Sequence, residues 1–304
     1  MIFKERLRYP VRLTILAASA ILSCITPGAA TPALAAKKPV PALVALPVAP
    51  PTPETLAMID AALREGRLDA AREAIGRSWA SGSTEVQLRG AELALASGSL
   101  AEAADGFGQL IDDPLLGARA AQGLGVTQLR QGKTSDAVKS LDAALARDPT
   151  LVRAWNARGV AADRLQDWPA SDNAYDKALA LAPDAADILS NRGYSQMLRQ
   201  HFSAAETDFA RAVMLDPKLP AARTNLRIAR AMQGRYEEAF QGATKLTLAD
   251  DLNTVGYAAM ARGDLAVAEA YFNRAMSLNP NFDRAAWANL QYLKSLQGKP
   301  AGDP

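Results

Sequence analysis

Pro149, Pro183 and Pro217 stand 34 residues apart, and the residues before each repeat at the same offsets. Ala137, Leu141 and Ala144 lead to the first proline, Ser171, Tyr175 and Ala178 to the second, and Ala205, Phe209 and Ala212 to the third. Gly125, Gly159 and Gly193 form a further row with the same period. Several rows in phase over three periods restrict the fold severely. Each period reads as two helices joined by a tight turn and closed by a proline that cannot continue the second helix. Small residues let the paired helices approach, and the larger residue between them fills the gap to the neighbour. One such hairpin cannot bury its own apolar face, so the units must stack and share a continuous core.

The pattern extends in both directions. Gly66, Gly98, Gly132, Gly234 and Gly263 head the second helices, with Gln166 and Gln200 in the two intermediate turn positions. Five residues on come Ala71, Ala103, Ala137, Ser171, Ala205, Ala239 and Ala268, and four further on Ile75, Phe107, Leu141, Tyr175, Phe209, Ala243 and Phe272. Seven units are expected over 54–297, with the first, second and sixth degenerate. The sixth lacks its closing proline, and Gly234 to Gly263 falls five residues short of the period. Its second helix is therefore expected to be short, around Gln241 to Leu248, with Asp250 and Asp251 as N-caps of the next helix. Nothing nearby completes a metal site around that acidic pair. Asp283 to Gln297, with Trp287, Leu290 and Leu293, reads as an amphipathic capping helix, and 298–304 as a frayed tail.

Residues 1–36 read as an export signal. Lys4, Arg6, Arg8 and Arg12 precede an uncharged apolar run from Leu13 to Ile25, too short to serve as a membrane span. Two processing routes are open. Ala33-Leu34-Ala35 is a cleavage site for ordinary signal peptidase, whereas Ile21-Leu22-Ser23-Cys24 has the form of a lipobox, in which Cys24 is lipidated and anchors the chain in an outer membrane. Cys24 is the one cysteine, so no internal disulfide forms. The signal carries a net +3 of the whole chain's +2, leaving about −1 for the rest. That balance offers no basic footprint for nucleic acid. Six prolines between Lys37 and Pro53 make 37–53 a semi-rigid polyproline II spacer of roughly 3.1 Å per residue, on the order of 50 Å in reach. A proline-motif ligand is the less favoured use of it.

The usual parts of a catalytic site are lacking. His201 is the one histidine and falls at a turn, and there is no G-x-S-x-G motif or phosphate loop. Gly123 and Gly125 lie within a helix and read as small-residue packing. No enzyme, cofactor or metal site is expected. Binding on the first helices of the units is. Asn156 with Val160, Asn191 with Tyr194 and Leu198, Asn225 with Ile228 and Met232, and Asn253 with Tyr257 and Met260 place an amide beside apolar side chains at helical spacing. An amide donates to and accepts from a peptide backbone at once. Four such contacts give about 2–6 kcal/mol before ordering costs, hence exchangeable, micromolar binding of a protein segment. The competing reading leaves these asparagines solvated or bonded to neighbouring helices.

Trp155, the Leu124-Gly125 pair, the A-x3-F spacing and the closing prolines resemble tetratricopeptide repeats. The resemblance implies an all-α solenoid, a right-handed superhelix of about seven helix-turn-helix repeats with a C-terminal capping helix. Ala222-Arg223-Thr224-Asn225-Leu226, Gly234-Arg235-Tyr236-Glu237-Glu238-Ala239 and Asp251-Leu252-Asn253-Thr254-Val255-Gly256-Tyr257 are similar to a stretch of the TPR lipoproteins of the tight-adherence (Flp) pilus assembly system. That likeness implies a non-enzymatic periplasmic assembly factor whose protein partners include a secretin, a pilin or other pilus components. A generic periplasmic scaffold for other envelope or polysaccharide machinery is the alternative. Arrays that clamp a C-terminal carboxylate use lysine and arginine on the groove face. No such cluster joins Asn191, Asn225 and Asn253, so that subclass is not expected.

Overall fold

The computed structural model describes residues 50–278 and 284–298. The expected signal, Cys24, nearly all of the proline spacer and the tail lie outside the described residues. Fifteen α-helices and no strand occur among the described residues. In chain order they follow the seven sequence repeats, a first and a second helix in each: α1 (Pro53–Arg64) and α2 (Leu68–Ser78), α3 (Thr84–Ser97) and α4 (Leu100–Gln109), α5 (Gly117–Arg130) and α6 (Thr134–Arg147), α7 (Val152–Leu165) and α8 (Trp168–Leu181), α9 (Ala186–Leu198) and α10 (Phe202–Leu215), α11 (Pro220–Met232) and α12 (Tyr236–Ala239), α13 (Leu248–Arg262) and α14 (Leu265–Leu278). The single helix α15 (Arg284–Leu296) follows. Packing divides the chain into two compact units, Met1–Asp167 with α1–α7 and Trp168–Pro304 with α8–α15.

Pro53 belongs to the first helix rather than the spacer. It takes the N1 position, where a missing N–H costs nothing, and the Thr52 hydroxyl accepts from the Thr55 N–H at 3.3 Å.

The turn inside each pair is the same each time. Gly66, Gly98, Gly132, Gln166, Gln200, Gly234 and Gly263 all have positive φ, from 58° at Gln166 to 97° at Gly263. The next residue donates its N–H to the carbonyl five back: Arg67 to Ala62, Ser99 to Ala94, Lys133 to Gln128, Asp167 to Ala162, His201 to Gln196, Arg235 to Arg230 and Asp264 to Ala259, at 2.9–3.1 Å. This is the Schellman closure, which satisfies an orphan carbonyl and requires one left-handed residue. The two glutamines therefore hold the left-handed position that glycine fills in the other five pairs.

The two expected rows on the second helices belong to the buried core of each unit. Ala71, Ala103, Ala137, Ser171, Ala205, Ala239 and Ala268 are buried, as are Ile75, Phe107, Leu141, Tyr175, Phe209 and Phe272. Gly123 and Gly125 face these rings and chains. A Cβ on Gly123 would lie 2.4 Å from the Phe107 ring of the preceding pair, and one on Gly125 would lie 2.6 Å from Leu141 of its own pair. Glycine is required there because two helices meet at one point.

The sixth pair departs from the expectation in place and in content. Its short helix is α12, Tyr236–Ala239, and 241–247 is turn rather than helix. Ala243 lies beyond the helix and is half-buried, so it fills no gap; Phe240, packed edge-on against Tyr271 at 5.3 Å, lies against the core instead. Asp250 and Asp251 sit inside the first turn of α13, whose N-cap is Thr247. With so little second helix in between, α11 packs directly on α13. There the row of Ala91, Gly125, Gly159, Gly193 and Gly256 is interrupted by Arg227, and the row of Ala120, Ala154, Ile188 and Ala222 ends at Asp251. Arg227 Nη1 lies 3.0 Å from Asp251 Oδ1, with both side chains 10% exposed, and the Thr247 hydroxyl donates to Asp251 at 2.9 Å. The missing helix leaves room on α11 that a large polar side chain occupies.

Two stability measurements check this account. Gln200→Gly should raise the unfolding free energy by about 0.5–1 kcal/mol, the left-handed penalty less glycine's entropy, and Gly132→Ala should lower it by about 1 kcal/mol although its Cβ meets nothing. Equal urea midpoints for all three proteins would remove the turn from the account. Asp251→Ala should cost about 3–5 kcal/mol by stranding Arg227, and Arg227→Leu combined with Asp251→Ala should cost clearly less, as read by chemical denaturation.

Candidate functional site

Once the turns and the buried rows are assigned, the first helix of each pair has one face left. Counting back from the left-handed turn residue, that face carries the positions 13, 6 and 2 residues earlier; the position ten earlier is buried at Leu88, Asn156 and Ser190. In the first unit the face lines an open groove of about 730 Å³ contributed by α1, α3, α5 and α7, with Leu68 at the start of α2. Leu63, Leu68, Leu95, Ala96 and Val126 give it an apolar floor. Arg64, Arg119, Arg130 and Arg153 line it together with Asp60, Glu65 and Glu92.

The carboxylates are already engaged. Asp60 accepts from Arg89 at 2.7 Å, Glu92 from Arg119 at 2.8 Å and Glu65 from Arg67 at 2.6 Å. Arg130 donates to the Leu95 carbonyl near the end of α3, one member of a repeated staple. Arg164 does the same to Leu129 at 2.5 Å, and Arg262 to Met232 at 2.9 Å. These arginines satisfy carbonyls that a helix C-terminus leaves open, and their charge suits the negative end of the helix dipole. Burial and, after it, the Arg153 charge push the Arg130 guanidinium down from its usual range.

In the second unit the same positions hold a different chemistry. Six before the turn stand Tyr194, Ile228 and Tyr257, all half-buried, and two before it Leu198 and Met232, the leucine 40% exposed. Burial, and then the nearby Tyr292, raise the Tyr257 phenol above its ordinary range. Met260 is one position off this face and only 7% exposed, packed with Phe272, Leu290 and Leu293; it belongs to the core rather than to a docking surface.

The four asparagines do not form one row. Asn156 and Asn253 stand ten residues before their turn positions, Asn191 and Asn225 nine, a rotation of about 100° on a helix. Asn156, beside half-buried Val160 on α7, and Asn191 on α9 are each 8% exposed and already engaged within the chain. Asn225 is half-buried on α11. Asn253 accepts from Asn289 Nδ2 at 2.9 Å, tying α15 to α13. The four amides therefore do not line up as one uniform ladder, while Tyr194, Leu198, Ile228, Met232 and Tyr257 do share a face. Basic side chains do gather, but in the first unit, at register positions that sequence reasoning left unused. Arg119 and Arg153, 34 residues apart, were the signal available.

Among the described residues, no three His, Cys, Asp or Glu are arranged to hold a metal ion, and no helix is long and apolar enough to cross a membrane.

Two sequence profiles described as tetratricopeptide repeat match the chain, one over 88–152, 123–186 and 156–220, the other over 252–282. No curated protein matches. Among solved structures, a tetratricopeptide repeat protein from Parabacteroides merdae is 16% identical with a TM-score of 0.51, the match covering 79% of this chain and 97% of that one. The C-terminal part of a TPR repeat-containing protein from Cytophaga hutchinsonii is 15% identical with a TM-score of 0.52, covering 77% and 99%. A chain of the APC/C hetero-tetramer Cut9-Hcn1 is 14% identical with a TM-score of 0.55, covering 79% of this chain and 46% of that one, so the present chain spans about half its length.

If Asn253 serves packing, Asn253→Ala should speed amide hydrogen exchange in α15 about 3- to 10-fold, the equivalent of one hydrogen bond, and leave α9 unchanged. Unchanged exchange in α15 would mean that the Asn253–Asn289 bond contributes nothing to holding the terminal helix.

Proposed function

Because the chain belongs to the tetratricopeptide repeat family, we propose that it works without catalysis, as a scaffold that holds protein segments on the first helices of its pairs. The observation that carries this reading is the face left over after packing. Its positions in the first unit line an open groove, and in the second unit they carry Tyr194, Leu198, Ile228, Met232 and Tyr257. On that face Leu198 is 40% exposed. Aromatic side chains, leucine and methionine provide adaptable contact for a segment of another protein. Contact areas of this kind give exchangeable rather than permanent complexes, as suits an assembly factor.

The finer assignment is export to the periplasm and service to a tight-adherence pilus or a secretion system. Support for export comes from the basic and apolar pattern of residues 1–36, with Ala35 and Cys24 as the two processing points and the second leading to an outer-membrane anchor. Support for the pilus comes from the phrases around Asn225, Gly234 and Asn253. These flank the shortened sixth pair, so the likeness falls on the part of the chain that departs most from a regular repeat.

A photoreactive residue in place of Leu198, in cells that make the protein, should capture a secretin, a pilin or another pilus-assembly component. Capture of components of other envelope machinery would keep the scaffold and remove the pilus. Capture only from positions on the second helices would place docking on the other face and overturn the reading.

A further inference from the structure

We propose that the groove of the first unit takes an acidic, extended polypeptide segment in which carboxylates alternate with apolar side chains. This deepens the scaffold reading and rests on it, by naming the chemistry of the segment held by α1, α3, α5 and α7.

Charge within the groove does not balance. Each lining carboxylate is neutralised by an arginine: Asp60 by Arg89, Glu92 by Arg119, and Glu65 by Arg67. Arg64, Arg130 and Arg153 remain, and none of them forms an ion pair with a described carboxylate. The bond that Arg130 does make goes to a backbone carbonyl, which carries no net charge to cancel its own. Its Nε is buried and meets no acceptor. The basicity of Arg130 is lowered first by burial and then by Arg153, so two positive charges stand near one another without an anion to separate them. Anions bound there would relieve that repulsion, and a guanidinium binds a carboxylate through two parallel N–H bonds.

Geometry selects a chain rather than a single ion. Packed helices lie roughly 8–10 Å apart, whereas an extended strand rises about 3.3 Å per residue with alternate side chains on one side. A strand crossing α5 and α7 therefore passes over both Arg130 and Arg153, and carboxylates along it can reach the two guanidinium groups. Apolar side chains of the same segment meet Leu63, Leu95 and Val126, which line the same groove. A polyphosphate has no use for that apolar floor, so nucleic acid is disfavoured.

The test is fluorescence anisotropy with the purified full chain and a labelled peptide of about twelve residues repeating Glu-Leu-Glu-Ser, beside its Gln-Leu-Gln-Ser counterpart. The acidic peptide should bind with micromolar affinity, and the glutamine peptide at least about tenfold more weakly. Raising salt from about 50 to about 300 mM should weaken the acidic complex. Arg153→Glu, at an exposed side chain with no bond to lose, should reduce affinity about tenfold or more with an unchanged thermal melt. Arg130→Gln should also weaken it, and its melt reports separately on the lost Leu95 bond. Equal binding of the two peptides would overturn the proposal, as would full affinity in Arg153→Glu or tighter binding of a thymidine dodecamer. The assay reads the first unit with a defined peptide, so its failure leaves capture at Leu198 standing, and failed capture leaves the peptide result standing.

Discussion

Each helix pair depends on one residue placed in the left-handed region of backbone space. The turn that uses it closes the last carbonyls of one helix and starts the next within three residues, which sets the angle and offset of the pair. Once those are set, the residue five places on falls against the first helix, and the residue nine places on falls between pairs. The buried row from Ala71 to Ala268 and the larger row from Ile75 to Phe272 follow from that placement. Helix propensity alone would not align them, because helices of ten to fourteen residues are marginal in isolation. Stacking supplies the stability, and the turn ensures that the stacked surfaces match.

The sixth pair shows what happens when part of this arrangement is removed. Without the second half of its second helix, the large apolar side chain expected nine residues after the turn is missing, and Ala243 stands in its place. The row that holds Ala91, Gly125, Gly159, Gly193 and Gly256 admits Arg227, and the neighbouring helix answers with Asp251 where the third to sixth pairs have alanine or isoleucine. Burial pushes the Arg227 guanidinium down from its usual range, against the opposing pull of Asp251. A buried pair of this sort adds little net stability over an apolar filling, but it penalises any arrangement that separates its members. Its consequence is a fixed register between α11 and α13 where the ordinary spacer is missing. The turn that replaces the helix leaves Leu246 almost wholly exposed, at the register position where complete pairs have their closing proline; Leu115 stands at the same position after the short α4.

The repeat was legible because its determinants are local and periodic. Gln166 and Gln200 could be placed in the turn by counting alone, although neither residue favours positive φ, since the rows on both sides fixed the register. The short helix was misplaced to 241–248 because counting shows how many residues are missing and not which; Phe240 and the Thr247 turn decide that by packing. The asparagines misled for a related reason. Amide and apolar residues at helical spacing suggest a common face, but a shift of one residue turns Asn191 and Asn225 away from the row of Asn156 and Asn253. The arginines were passed over because a nearly neutral total charge conceals a local excess. Pairing decides where charge remains, and pairing is a three-dimensional property.

That pairing also separates arginines the fold needs from those it does not. Arg130, Arg164 and Arg262 each hold the end of the preceding first helix, so their positions follow from stacking whatever the protein binds. Their charge is a by-product, because a carbonyl satisfies the N–H without neutralising the cation. In the second unit this excess is answered in place, where Asp264 lies 2.8 Å from Arg262. In the first unit it is increased by Arg153, which holds no carbonyl and no carboxylate among the described residues and faces the groove from α7. Arg119, one period earlier, is paired with Glu92, so the row as such does not demand an unpaired charge. A side chain that adds repulsion to a neighbour without contributing to packing is best explained by something outside the folded chain, and in this groove its counterpart is an anion.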